Sequence, residues 1–207
     1  MNELFDGYVD LGLPSGLLWA TCNLGAASLE DYGDYYAWGE TKPKSDYSLS
    51  TYRYASVDAD GNLQKLTKYY TGRLYGTKDH KTTLEATLEA VDDAATTVIG
   101  KGARMPTQAE WQELIDNTTA EWTTVNGVEG RKYTSKMNGN DLFLPAAGYR
   151  HGSQLDLAGT DGLYWSSSLI ESFQGGAWYM DFSSSRQNVR GSSRHCGLSV
   201  RAVRSQN

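Results

Sequence analysis

The stretch GGAWYMDFSSS, beginning at Gly175, sets the tightest local limit on what this chain can fold into. Trp178, Met180 and Phe182 are large and apolar, and Tyr179, Asp181 and Ser183 stand between them. Strand side chains alternate between faces with period two, so this pattern predicts a strand with one buried face. The other face carries an aromatic, an acid and a hydroxyl that share no chemistry. Downstream, Arg186, Arg190, Ser192, Ser193, His195, Cys196 and Leu198 continue the mixture. The segment must return beside the strand for Val200 and Arg201 to rejoin the sheet. These outward residues are therefore expected to form one solvent-exposed patch, with Ile170 and Phe173 beside it.

The rest of the composition agrees with a strand-and-loop protein. Gly is abundant (22 of 207 residues), Tyr and Trp are plentiful, and Leu-rich helical stretches are few. The length suits one domain with a sizeable core. A net charge of −6 with no basic run argues against nucleic acid as a partner, because phosphate neutralisation needs clustered Lys and Arg. Apolar runs are too short to span a bilayer, so no membrane insertion is expected. The opening MNELFDGYVDL shows neither the basic nor the apolar part of a signal peptide. Cys22 and Cys196 read as two unrelated thiols, and no Cys/His cluster suggests zinc.

Along the chain, YVDLGLPSGLLWA predicts strand, turn, strand, with Pro14, Ser15 and Gly16 in the turn. Tyr32, Tyr35, Tyr36 and Trp38 cluster around Gly33 and Gly39 in an aromatic-anchored loop. Residues 47–83 are polar, Tyr-rich and without sustained period, which reads as an insertion with short strands; His80 within it reads as solvent-facing. A short helical turn is expected near residues 92–97. The clearest helix is MPTQAEWQELIDN. Thr107 is an N-cap, Glu110 three residues later completes a capping box, and Trp111, Leu114 and Ile115 form an apolar stripe. Asn126-Gly127 marks a hairpin, and DLFLPAAGYR is a strand broken by Pro145.

Five motifs in order, YVDLGLPSGLLWATCNLGA with YGDYYAWGET, RMPTQAEWQEL, LFLPAAGYR, GLYWSSS and GLSVRAVR, resemble the C-type lectin-like branch that includes formylglycine-generating enzymes. The first is similar to an abundant family of Bacteroidetes and gut-phage proteins. Some members of that branch are the variable proteins of diversity-generating retroelements, whose last strands are rewritten at template adenines. The resemblance implies an α+β, C-type lectin-like fold: small antiparallel sheets, one principal helix at residues 107–116 and extensive loops. It implies one domain over residues 1–207, with a variable region at about 165–203. The core is expected to hold Trp19, Trp38, Trp111, Leu114, Trp165, Trp178, Met180, Phe182 and Val200.

The function so implied is non-catalytic ligand binding. Its surface would comprise Ile170, Phe173, Tyr179, Asp181, Ser183, Arg186, Arg190, Ser192, Ser193, His195, Cys196 and Leu198. The partner would be a protein or glycan receptor on another cell or virus, and the location a cell surface, the exterior or a virion. No cofactor or metal is expected. A constant-surface adhesin or structural protein of the same fold is the alternative. A formylglycine-generating-type enzyme needs paired reactive cysteines, and only Cys196 lies near the last strands. The Glu-Pro-Asn, Gln-Pro-Asp and Trp-Asn-Asp motifs of calcium-dependent lectins are absent from the sequence. Asp92 with Asp93, or Asp156 with Asp161, could contribute oxygens to a cation, but surface turns carry such acids routinely. Ser166–Ser168 lack the glycine-flanked turn of a nucleophilic serine and read as supports for local turns.

Overall fold

The computed structural model describes residues 7–70, 87–173 and 175–206. Strands β1 (Tyr8–Asp10) and β2 (Leu17–Ala20) pair antiparallel, with Val9 opposite Trp19. Gly16 closes the turn between them at φ 67°, donating its N–H to Leu13 O at 2.8 Å. An irregular segment then buries Tyr35, Tyr36 and Trp38. Short strands β3 (Ala55–Val57) and β4 (Leu63–Leu66) follow a single 3₁₀ turn at Leu49–Thr51. The remainder of the expected insertion, from residue 71 and including His80, lies outside the described residues.

Helix α1 (Ala94–Ile99) starts where Asp93 accepts the Thr96 N–H at 2.9 Å. Helix α2 (Gln108–Asn117) has the capping box its sequence predicts: Thr107 accepts from Glu110 N, and Glu110 accepts from Thr107 N. Strands β5 (Thr118–Val125) and β6 (Val128–Ser135) form the hairpin at Asn126-Gly127. Both turn residues have positive φ, 48° and 83°, as a tight primed turn requires. Strand β7 (Asp141–Pro145) completes that sheet, and β8 (Tyr149–His151) pairs with β9 (Gln154–Asp156). The last sheet has the order β10 (Asp161–Leu169), β11 (Gly176–Ser183), β12 (Gln187–Ser193). Strand β13 (Val203–Ser205) returns to pair with β2, so the two ends of the domain are zipped together.

The α+β expectation is corrected by this inventory. Strand makes up 42% and helix 10%, so the protein is sheet-rich with little helix. The physical reason is local. Only residues 107–117 combine a capping signal with an apolar stripe, and α1 is 6 residues long. Among the described residues the named strands all pair antiparallel and are tied by turns and irregular segments.

The β10–β11–β12 sheet separates two cores. Alternate residues of one face, Leu163, Trp165, Leu169 and Ala177, enter a cluster with Trp38, Leu198 and Val200. Residues of the opposite face, Tyr164, Met180 and Phe182, enter a cluster with Trp19, Trp111, Leu114 and Tyr133. Every expected core residue is fully buried except Trp178, which is half-buried. A bulge between Trp165 and Leu169 frees backbone groups for other partners. Ser166 O accepts the Trp38 indole N–H at 2.9 Å, and Trp165 O accepts that of Trp111 at 3.2 Å. Ser168 Oγ accepts Gln108 N at 3.0 Å, satisfying one orphan donor at the start of α2. The serine triplet is thus an anchor for the helix.

Candidate ligand-binding surface

Register decides which residues of the last hairpin share a face. Tyr179 lies opposite Arg190, Asp181 opposite Asn188, and Ala177 opposite Ser192. These six occupy one face, above the Trp165 core. Trp178 and Met180 lie opposite Gly191 and Val189, and Ser193 lies opposite Gly176, on the other face. Ile170 and Phe173 go with that second face. Ile170 Cδ1 sits 2.2 Å and 3.1 Å from where a Cβ on Gly191 and Gly176 would be, and Phe173 sits 2.9 Å from the latter.

The expected single exposed patch is therefore corrected in two ways. It divides between two faces, with Ile170, Phe173 and Ser193 apart from Tyr179, Arg190 and Ser192. It is also far from fully exposed. Phe173 (61%), Arg186 and Arg190 are exposed, and Tyr179, Ser192, Ser193 and His195 are half-buried. Ile170, Asp181, Ser183, Cys196 and Leu198 are buried.

Each burial has a visible cause. Asp181 is covered by two arginines, Arg186 Nε at 3.0 Å and Arg190 Nε at 3.3 Å from its Oδ2. Arg186 also pairs with Asp161 and donates to Ser183 Oγ at 3.3 Å. The Asp181 hydrogen bond comes first among the causes that raise the Arg186 pKa. Arg186 is thereby a clasp over two carboxylates. Leu198 and Cys196 are buried because the segment carrying them threads through the domain. Gly197 exchanges backbone hydrogen bonds with Arg150, Leu198 with Tyr36, and Ser199 N donates to Leu163 O. Arg194 and Arg201 pin this segment at either end. Arg194 stacks 5.4 Å from Trp38, and Arg201 donates to Asn23 Oδ1, Ala20 O and Thr21 O. Burial lowers the Arg201 pKa from its ordinary value, and its bonds go to neutral oxygens.

What remains open to solvent forms a band. Tyr179, braced edge-on against Trp165 at 6.2 Å, adjoins Arg190 across the strand pair. Burial raises the Tyr179 pKa, so its hydroxyl stays protonated as a donor. Ser192 lies near Cys196, whose thiol pKa is raised above its ordinary value by burial. Tyr149 on β8 packs against the cluster that holds Cys196. His195 stands 5.9 Å from His151, ring to ring, and burial, then His151 and Lys44, hold its pKa below the ordinary imidazole value. Beyond Lys44 opens a cleft of about 430 Å³ whose walls include Arg150, Ser153 and Tyr47.

Three of the four acids that sequence offered to a cation are engaged elsewhere. Asp92 accepts from Tyr54 and Tyr69 and pairs with Lys68. Asp93 caps α1 and accepts Met105 N, and Asp161 holds Arg186. Among the described residues no group of three or more His, Cys, Asp and Glu is placed to hold a metal ion. No described helix is long and apolar enough to cross a membrane. Both cysteines are free, in agreement with two unrelated thiols.

These observations define a sheet-rich domain whose C-terminal hairpin lies between two cores and keeps part of one face open to solvent. Residues 33–203 match DUF8237, described as a domain of unknown function, and the chain belongs to that family. No curated protein and no solved structure matches it.

Proposed function

We propose that this protein is a non-catalytic ligand-binding domain whose recognition surface is the band from Tyr179, Arg190 and Ser192 to His195, Tyr149 and His151. The single observation that carries this reading is the Tyr179–Arg190 pair. It is a half-buried rigid aromatic beside an exposed long cation, on a strand pair whose reverse is packed in a core. Tyr and Arg are the side chains that dominate recognition surfaces, and a rigid support lowers the ordering cost of binding. Arg186, Asp181 and Ser183 serve as the clasp that holds this strand end, and Cys196 and Leu198 serve the core.

The ligand is a protein or glycan receptor on another cell or virus, met at a cell surface, outside the cell or on a virion. The resemblance of the motifs to retroelement-diversified proteins supports a surface whose open positions are rewritten while Met180, Phe182, Val200 and Arg201 stay fixed. A constant adhesin would use the same band without rewriting it.

The test is a glycan and surface-protein array probed with the wild-type protein and the Tyr179→Ala/Arg190→Ala variant. The expected result is specific binding that the variant loses while it still melts cooperatively as a folded protein. An array without specific binding, or binding that the variant retains, overturns the assignment.

A further inference from the structure

The cleft beside this band has a chemistry of its own. Its volume of about 430 Å³ falls in the range of small-ligand sites, about 300–1,000 Å³. Arg150, in the middle of β8, has its backbone fixed from both sides: its N–H donates to Gly197 O at 2.7 Å and its carbonyl accepts Gly197 N at 2.9 Å. Its guanidinium lies 5.1 Å from the centre of the Tyr35 ring. That ring is itself held, since Tyr35 Oη donates to Ala147 O at 2.6 Å and Tyr47 Oη donates to Tyr35 O. Arg150 is therefore a pre-positioned fork on a rigid aromatic floor.

Charge in the cleft is unevenly spent. Lys44 Nζ bonds Glu40 at 2.9 Å and Thr51 O at 3.1 Å, so its charge is compensated. Arg150 has no carboxylate partner among the described residues, although Asp34 lines the same cleft. The hydroxyls of Ser45 and Ser153, also on the wall, have no protein partner among the described residues. A fork of N–H donors with two free hydroxyls suits a carboxylate, which accepts bidentate bonds from guanidinium. The cleft is larger than a carboxylate alone needs. Its wall mixes hydroxyl and charged groups with Pro43 and the Tyr35 and Tyr47 rings, a mixture that suits a sugar ring, whose rim of hydroxyls surrounds an apolar face.

We propose that this cleft binds the carboxylate of an acidic sugar, with Arg150 taking the charge and Ser45 and Ser153 the flanking oxygens. The proposal stands apart from the recognition band, because Tyr179 and Arg190 do not line the cleft.

The test is calorimetric titration of the full chain with sodium glucuronate, glucose and acetate, with Arg150→Met, Arg150→Lys, Ser153→Ala and Tyr179→Ala as variants. Glucuronate is expected to bind saturably at about 1 mM or tighter, with glucose and acetate each at least about tenfold weaker. Arg150→Met should weaken glucuronate at least about tenfold at an unchanged melting temperature, and Arg150→Lys, which keeps the charge and loses the fork, should fall between. Ser153→Ala, at an exposed position, gives a weaker loss should Arg150→Met fail to fold. Tyr179→Ala should bind glucuronate normally even where array binding is lost. Absence of saturable glucuronate binding, equal binding of glucose, equal binding of acetate, or indifference to both Arg150 and Ser153 overturns the proposal.

Discussion

The contact between Gly162 and Phe182 turns the two-core architecture into a number. These residues face each other across β10 and β11, and the Phe182 ring lies over the glycine. A Cβ on Gly162 would stand 2.0 Å from Phe182 Cζ, far inside contact distance. The ring has little room to move, because Tyr164 stacks on it at 5.9 Å and Tyr133 meets it edge-on at 6.2 Å. Gly162 is not among the positive-φ glycines, so a side chain there is opposed by the ring and not by the backbone. Gly162→Ala should therefore cost about 1–3 kcal/mol through overpacking. Phe182→Ala should cost about 3–5 kcal/mol for lost burial and the cavity left behind. In a chain of this length that is a fall in melting temperature of about 6–20 °C. The two losses should not add. With the ring gone, the alanine methyl enters vacated space, so the double variant should recover about 1–3 kcal/mol of coupling. Guanidinium denaturation of the four proteins measures this directly. A neutral Gly162→Ala, or four stabilities that add, would refute the packing.

Other expectations follow from the same contacts. Asp181→Ala should cost about 1–3 kcal/mol, because it leaves Arg186 and Arg190 without their shared carboxylate; Arg190→Ala, being exposed, should cost less than about 1 kcal/mol. Trp178→Ala should cost clearly less than Phe182→Ala in the same denaturation series, since Trp178 is only half-buried. Burial works to raise the Glu110 pKa, but bonds from Arg104 and from Thr107 N hold it below 4.5, so its contribution is present above that pH and is lost as pH falls through the folded value. Glu110→Gln should flatten that acid limb of the stability curve. Two thiols should titrate in the denatured, non-reduced protein, with buried Cys196 reacting far more slowly than Cys22 in the native state. Cys196→Ser should cost about 1 kcal/mol or more, because it places a hydroxyl in an apolar cluster.

What the sequence disclosed was local. Thr107 with Glu110, Asn126 with Gly127, and the alternation of Met180 and Phe182 each signal through near neighbours, and each gave its element correctly. The alternation also identified which side of β11 packs against Trp19 and Trp111. From the same alternation the reverse side reads as open to solvent, and there the structure corrects it. Asp181 looks like a surface acid in a period-two pattern, yet a second core and two arginines close over it. Leu198 and Cys196 are buried through pairings with Tyr36, Arg150 and Leu163, residues distant in sequence that no short motif announces. The cleft arises in the same way, from residues 33–47 meeting residues 150–153.

Sequencing codons 165–203 of this gene across many isolates of its source tests the central claim most directly. The account predicts that codons 179, 190, 192 and 195 differ between isolates while 180, 182, 200 and 201 remain fixed. It also predicts a nearby near-copy of the region that differs at adenines. Identical codons throughout, or differences spread equally over the buried and open positions, would contradict it.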